Sequence, residues 1–376
     1  MSAKYPEPEV SGPRTGTLIK GAMYTRDTGE CGIYDDAGLP IQNSDIVSVS
    51  FTSSYAKEPI FDVVAKTIEE PCLFAGIALP QFGHVLTSAL GRLWALEEID
   101  SNTTIVFTVK HFGTAASKHA FVTPVIRTLG IQNPIQILTH PTRFQSIYTA
   151  PDEFGERYGA RGSDFFYAWL DRRLPKPESS GKNTKLFVSR EGIGARSGRF
   201  ACEDHLARLL KEHGYEVYCP EKQSFADQLR RYQTAERLIF SEGSALHAFA
   251  LCRQPGQQIA VIQRRELLPE LIAQQMNDRK GAPVLEVNAI KSVYWPPIRG
   301  DHYGVSLLDF ESLGTQLLAG GFISSLAGWT SPSPSVEAAS LIAGLKPGER
   351  MYDAEDRKRY LRNLRRQRRT RAAKDN

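Results

Sequence analysis

Apolar residues in this chain fall into short compact runs separated by stripes of helical spacing, most clearly between residues 185 and 263. Lys185–Arg190, Glu216–Cys219, Arg237–Phe240 and Gln258–Gln263 are rich in aromatic and β-branched residues and predict four strands. Between them, Cys202, Leu206, Leu209 and Leu210 share one helix face that stops at Gly214. Phe225, Leu229 and Tyr232 mark a second helix, and Ala245–Leu251 is an apolar third. Strands alternating with helices through short loops predict a parallel, doubly wound sheet with right-handed crossovers.

A similar alternation runs through the first half. Val85, Leu86, Ala89, Leu90, Leu93 and Trp94 predict a helix beginning near His84, after Gly83. Thr104–Lys110 and Pro134–Leu138 read as strands, and Val122–Leu129 as a short helix. Arg161–Leu174 reads as a helix ended by Pro175. The pattern divides the chain into an irregular segment with one or two strands (1–60), a βα domain (61–175) and a polar linker (176–184). A second βα domain (185–300), apolar segments expected to be helical and to pack back on the body (301–330), and a Ser/Pro-rich then basic tail (331–376) follow. The Gly181-Lys182-Asn183-Thr184 run is not a P-loop, because Lys176 stands where the first glycine belongs and the run precedes a strand.

Composition adds limits. Five scattered cysteines without a C-x-x-C pair argue for a reducing compartment and against a zinc or disulfide framework. The N-terminus lacks the apolar stretch of a signal peptide, and no apolar run approaches a membrane span. The expected location is cytoplasmic, with attachment to the face of the inner membrane as an open extension. The net charge of +4 hides an asymmetry: residues 355–376 hold ten Lys or Arg against three acidic residues, leaving the rest at −3. Such a tail suits an anionic membrane surface, a nucleic acid, or solvent alone; the acidic body speaks against nucleic acid.

The candidate chemistry sits at the predicted strand ends, where doubly wound sheets bind ligands. These ends are Ser189-Arg190, Pro220-Glu221 and Ser241-Glu242-Gly243-Ser244. The last is a strand-to-helix turn whose backbone N–H groups can take an anion, with Gly243 allowing close approach. Arg190, Arg196 and Arg199 follow the first strand and make a diphosphate clamp, or else surface ion pairs. Phe225 and Gln228 are candidates for nucleoside contact, with core packing as the alternative for Phe225. His247 reaches a phosphate or ribose, or is a satisfied core histidine. No Gly-x-Gly-x-x-Gly follows the first strand of either half, which excludes a nicotinamide or flavin dinucleotide reading, and no Asp-x-Asp is present to hold a metal against a nucleotide sugar. We therefore expect neither cofactor nor metal.

Several of these stretches together resemble glycosyltransferase family 61. They are Lys185-Leu-Phe-Val-Ser-Arg, Gly214-Tyr-Glu-Val-Tyr-Cys-Pro-Glu, Ser224-Phe-Ala-Asp-Gln and Ala235-Glu-Arg-Leu-Ile-Phe-Ser-Glu-Gly-Ser-Ala-Leu-His. Gly83-His84-Val85-Leu86 and Arg92-Leu93-Trp94 look like the family's N-terminal element, and the resemblance covers residues 74–265. The departure is Ser241-Glu242-Gly243-Ser244, where many relatives have Gly-Pro-His-Gly. The resemblance implies an α/β, GT-B-like architecture of two Rossmann-like βα domains facing a central cleft. It also implies an inverting transfer from a nucleotide-diphosphate sugar to a glycan or lipid-linked acceptor in bacterial capsule or surface polysaccharide synthesis. On this reading His84 is the general base, with Glu242 as its competitor. Substrate contacts fall to Ser189, Arg190, Arg196, Arg199, Glu221, Phe225, Gln228, Gly243, Ser244 and His247. The alternatives are a non-catalytic nucleotide-binding protein of the same fold, and an RNA-associated protein acting through the tail.

Overall fold

The computed structural model describes residues 17–20, 23–27, 30–48, 51–53, 66–110, 113–177, 184–193, 198–266, 268–278, 283–297 and 301–372. The chain is a mixed α/β protein that divides into two compact units. The first comprises residues 1–176, 247–252 and 270–279, and the second residues 177–246, 253–269 and 280–376.

The first unit is built on a five-stranded sheet of β1 (Thr17–Lys20), β2 (Cys72–Ala78), β3 (Thr104–Val109), β4 (Ile135–Leu138) and β5 (Ser146–Thr149). The spatial order is β1-β5-β2-β3-β4, parallel except for β1. Every residue of β2 and β3 is buried, as continuous apolar runs in parallel strands covered on both faces should be. The chain winds from β2 through β3 to β4, then returns to place β5 on the other side of β2. The direction of winding therefore reverses between β2 and β5.

The second unit holds β6 (Lys185–Val188), β7 (Glu216–Tyr218), β8 (Arg237–Ser241), β9 (Gln258–Ile262) and β10 (Leu285–Val287) in the order β7-β6-β8-β9-β10, all parallel. Here the winding reverses between β6 and β8. Leu206, Leu209 and Leu210 of the helix Glu203–Glu212 are buried in a cluster with Phe187, Ile239 and Trp329. Burying each leucine stabilises by ~1.5–3 kcal/mol. The following helix, Phe225–Thr234, is capped by Ser224, whose side chain accepts from the Asp227 N–H.

Four expectations need correction. The first helix covers only Phe82–Ser88 (α1), and Leu93 and Trp94 open a separate 3₁₀ turn, Leu93–Glu97. The break follows from Gly91, whose Cα lies so close to Asp152 and Phe154 that a Cβ there would collide with both. Arg161–Gly162 pair as a short strand with Phe154–Gly155, and the helix starts after the Ser163 cap, at Asp164. The N-terminal region contributes more strands than expected: β1, Met23–Asp27, Glu30–Tyr34, Ile46–Ser48 and Phe51–Ser53. Of these, β1 and Met23–Asp27 pair with strands over a hundred residues away, which local patterning does not reveal. Finally, Leu307-Leu308 lie in a strand, Val305–Leu308, and Phe322-Ile323 follow the end of the helix Phe310–Ala319 without being helical themselves.

Candidate functional site

In open parallel sheets, ligands bind beyond the carboxyl ends of the strands where the winding reverses. In the second unit those ends belong to β6 and β8, which are followed by Ser189-Arg190 and by Glu242-Gly243-Ser244. The two meet closely. A Cβ added at Gly243 would collide with Nη1 of Arg190, so the guanidinium sits directly against the turn. Arg190 is held there by donating from Nε and Nη2 to the Gly198 carbonyl, at 3.0 and 2.8 Å.

Beneath them lies Glu203, the first residue of its helix and buried. Its Oε1 accepts from Ser189 Oγ (3.0 Å), the Arg190 N–H (2.7 Å) and Ser241 Oγ (2.7 Å), tying the ends of β6 and β8 together. Burial raises the Glu203 pKa, with those three hydrogen bonds acting against it. Glu242, also buried, accepts from the Arg264 N–H (2.9 Å), the Arg265 N–H (3.2 Å) and Arg265 Nε (2.6 Å), and pairs with Arg265 Nη2. Burial lowers the Arg190 pKa, and pushes Arg264 down to about 10. Both stay cationic near neutrality. Three guanidiniums (190, 264, 265) gather at the strand ends with three carboxylates (203, 221, 242), a formally balanced cluster in which the arginines are the groups able to meet an anion.

The remaining sequence candidates separate from this cluster. Arg199 donates from Nη2 to the carbonyls of Ser340 (2.8 Å) and Ala343 (3.2 Å), so it closes the end of the helix Pro334–Ile342 rather than a diphosphate. Arg196 lies outside the described residues. Glu221 sets its carboxylate against Gly192 and adds to the field on Arg190. Phe225 is buried, and Gln228, also buried, donates from Nε2 to the Pro220 carbonyl at 2.8 Å. Ser244 opens the helix Ala245–Cys252 without a side-chain cap. His247 lies in that helix and shares its Nδ1 with Gln275 Oε1 at 2.6 Å. An open cleft of ≈ 600 Å³ follows the end of β7, lined by Cys219, Lys222, Gln223, Arg230 and Arg231 among others.

In the first unit the winding reverses between β2 and β5. His84, in α1, follows β2; Glu156, in a 3₁₀ turn (Glu156–Tyr158), follows β5. Nδ1 of His84 lies 3.0 Å from Oε1 of Glu156, which also accepts from the Thr87 hydroxyl at 2.8 Å. The Glu156 side chain is fully buried, whereas that of His84 is 36% exposed. A buried carboxylate on Nδ1 fixes the ring and its tautomer, so Nε2 is the nitrogen left to accept a proton. Glu156 and Glu203 were not anticipated from the sequence. Their only signal is an acidic residue in a first helical turn just beyond a predicted strand or loop.

Among the described residues, no three His, Cys, Asp or Glu side chains are placed to hold a metal ion, and no helix is long and apolar enough to cross a membrane. The family model described as Glycosyltransferase 61 matches residues 82–259, a span that contains His84, Glu156, Arg190, Glu203, Glu242 and Gly243. Among solved structures, the chain is similar to the bacterial iron-containing dodecameric glycosyltransferase TibC from enterotoxigenic E. coli. The identity is 15% and the TM-score 0.32, over 91% of this chain and 100% of that one. That likeness is too slight to bear on fold or function. None of the curated proteins compared matches the chain.

Proposed function

The chain belongs to glycosyltransferase family 61, whose domain spans residues 82–259, and from that premise we propose an inverting transfer from a nucleotide-diphosphate sugar. The acceptor is a glycan or lipid-linked glycan of a bacterial surface polysaccharide. The observation that carries this reading is the apposition of Arg190 and Gly243 at the reversal between β6 and β8, beside the guanidiniums of Arg264 and Arg265. A leaving diphosphate needs such cations, because it departs with the electron pair of the broken anomeric C–O bond. Guanidiniums fixed before the reaction stabilise it without reorganisation. On this account arginines supply the stabilisation that a divalent metal gives elsewhere.

Inversion in a single displacement requires the acceptor hydroxyl to lose its proton as its oxygen bonds to the anomeric carbon. His84 takes that proton on Nε2, and Glu156 stabilises the resulting imidazolium through Nδ1. Glu242 is unsuited to the role, since its oxygens are consumed by Arg265 and two backbone N–H groups. It acts as the bolt between the loops after β8 and β9. The test is a panel of nucleotide sugars, assayed for donor hydrolysis and for transfer with and without chelator. Release of a nucleoside diphosphate insensitive to chelation supports the reading; a strict requirement for added metal contradicts the arginine-only account.

A further inference from the structure

The C-terminal basic segment contains a helix, Ala354–Ala372, and one side of it is fastened to the second unit. Trp295 and Tyr352 exchange backbone hydrogen bonds of 2.8 Å in both directions. Tyr352 stacks on Tyr360 with ring centroids 4.8 Å apart, and the Tyr360 hydroxyl donates to the Pro297 carbonyl at 3.0 Å. The Arg357 guanidinium lies 4.6 Å from the centroid of the Trp295 ring. Asp356, Arg357, Tyr360, Leu361 and Leu364 are accordingly half-buried, whereas Lys358, Arg359, Arg362, Arg365 and Arg366 are exposed. At ~100° per residue, those five exposed cations fall within an arc of ~120° on the side opposite Tyr360, Leu361 and Leu364, an arc that also holds Glu355, 3.6 Å from Arg359, so that the face carries a formal net charge of +4.

We infer that this cationic side of the helix Ala354–Ala372 is a docking surface for the anionic headgroups of a lipid bilayer. Fastening one face to the protein leaves the helix without an apolar side to insert, so its attachment is electrostatic. A straight row of cations ~12 Å long from Lys358 to Arg366 suits a plane of charge. The remainder of the chain, at −3, disfavours a polyanion such as RNA that would continue across the body. This goes beyond the proposed transfer reaction and does not depend on it.

The experiment is flotation of the full-length protein with phosphatidylcholine vesicles, with and without phosphatidylglycerol as about a third of the lipid. Binding should require phosphatidylglycerol and fall to the phosphatidylcholine level when salt is raised to about 1 M. The Arg362→Gln/Arg365→Gln/Arg366→Gln variant should lose roughly tenfold or more of that binding while keeping its Tm. Should that variant unfold, the Lys358→Gln/Arg362→Gln pair and the wild-type salt titration carry the same test. Equal recovery on both vesicle types, salt-independent binding, or tighter retention on a short RNA duplex than on phosphatidylglycerol would overturn the inference.

Discussion

A methyl group added at Gly243 would take the place of the Arg190 guanidinium, and this coupling is measurable. Arg190→Ala should weaken nucleoside-diphosphate binding by about 1.5–3 kcal/mol, the worth of hydrogen bonds to a charged group. Gly243→Ala should weaken it too, because the guanidinium must swing away, yet add little in the Arg190→Ala background. Calorimetric titration of the four proteins in that cycle gives the answer; strictly additive losses would mean the two residues act apart. Glu203 makes a second prediction. Its pKa is raised by burial above the ordinary value of about 4.3, so in that window the folded state keeps a proton the unfolded state releases. That contribution to stability is complete below the ordinary value and is lost as pH rises through the folded-state pKa. Glu203→Gln keeps an acceptor for Ser189, Arg190 and Ser241 but does not titrate. The Tm of this variant should therefore gain on that of wild type as pH rises above the ordinary carboxylate value of about 4.3, and a constant difference would refute the linkage. Arg190 and Gly243 were legible in the sequence because strand ends are where an open sheet exposes its chemistry. Glu203 and Glu156 were not: each acts on residues 13 to 72 positions away, through contacts that only the folded chain creates.

Apart from the unpredicted strand Arg199–Phe200, the strands and α-helices from Lys185 to Ile262 lie where the apolar runs predict them, with ends shifted by a few residues at most. Those runs stand out because Leu186–Val188, Leu238–Ser241 and Ile259–Ile262 are continuously buried, and because Leu206, Leu209 and Leu210 line one helix face. Where packing rather than periodicity decides, the pattern misleads: Gly91 ends α1 early against Asp152, although Leu93 and Trp94 continue the helical spacing. Arg199 was misread for a related reason. Its neighbourhood in sequence is the arginine loop, but its strand, Arg199–Phe200, pairs with Val305–Leu308 and carries the side chain to the end of a helix 140 residues away. The loops after β8 and β9 supply a test of their own. Glu242→Gln should destabilise the fold by about 1.5–3 kcal/mol through loss of the charged bonds to Arg265 and two N–H groups, seen as a lower denaturant midpoint. If the variant unfolds at the wild-type midpoint but loses turnover, Glu242 belongs to the chemistry instead.

For the whole molecule, each unit carries its candidate chemistry where its own winding reverses: His84 and Glu156 beyond β2 and β5, Arg190 and Gly243 beyond β6 and β8. The sequence disclosed the winding of the second unit, whose strands follow one another with regular helices between. It disclosed less of the first, whose β1 and β5 join the sheet from distant parts of the chain. The proposed division of labour, with Arg190 on the leaving group and His84 on the acceptor's proton, predicts that two substitutions fail in opposite ways. Donor affinity and turnover should be measured separately for His84→Ala and Arg190→Ala. His84→Ala should hold the donor as wild type does while turnover falls ~100-fold or more, and Arg190→Ala should lose donor affinity first. Normal turnover in His84→Ala, or unchanged donor affinity in a folded Arg190→Ala protein, would contradict the account.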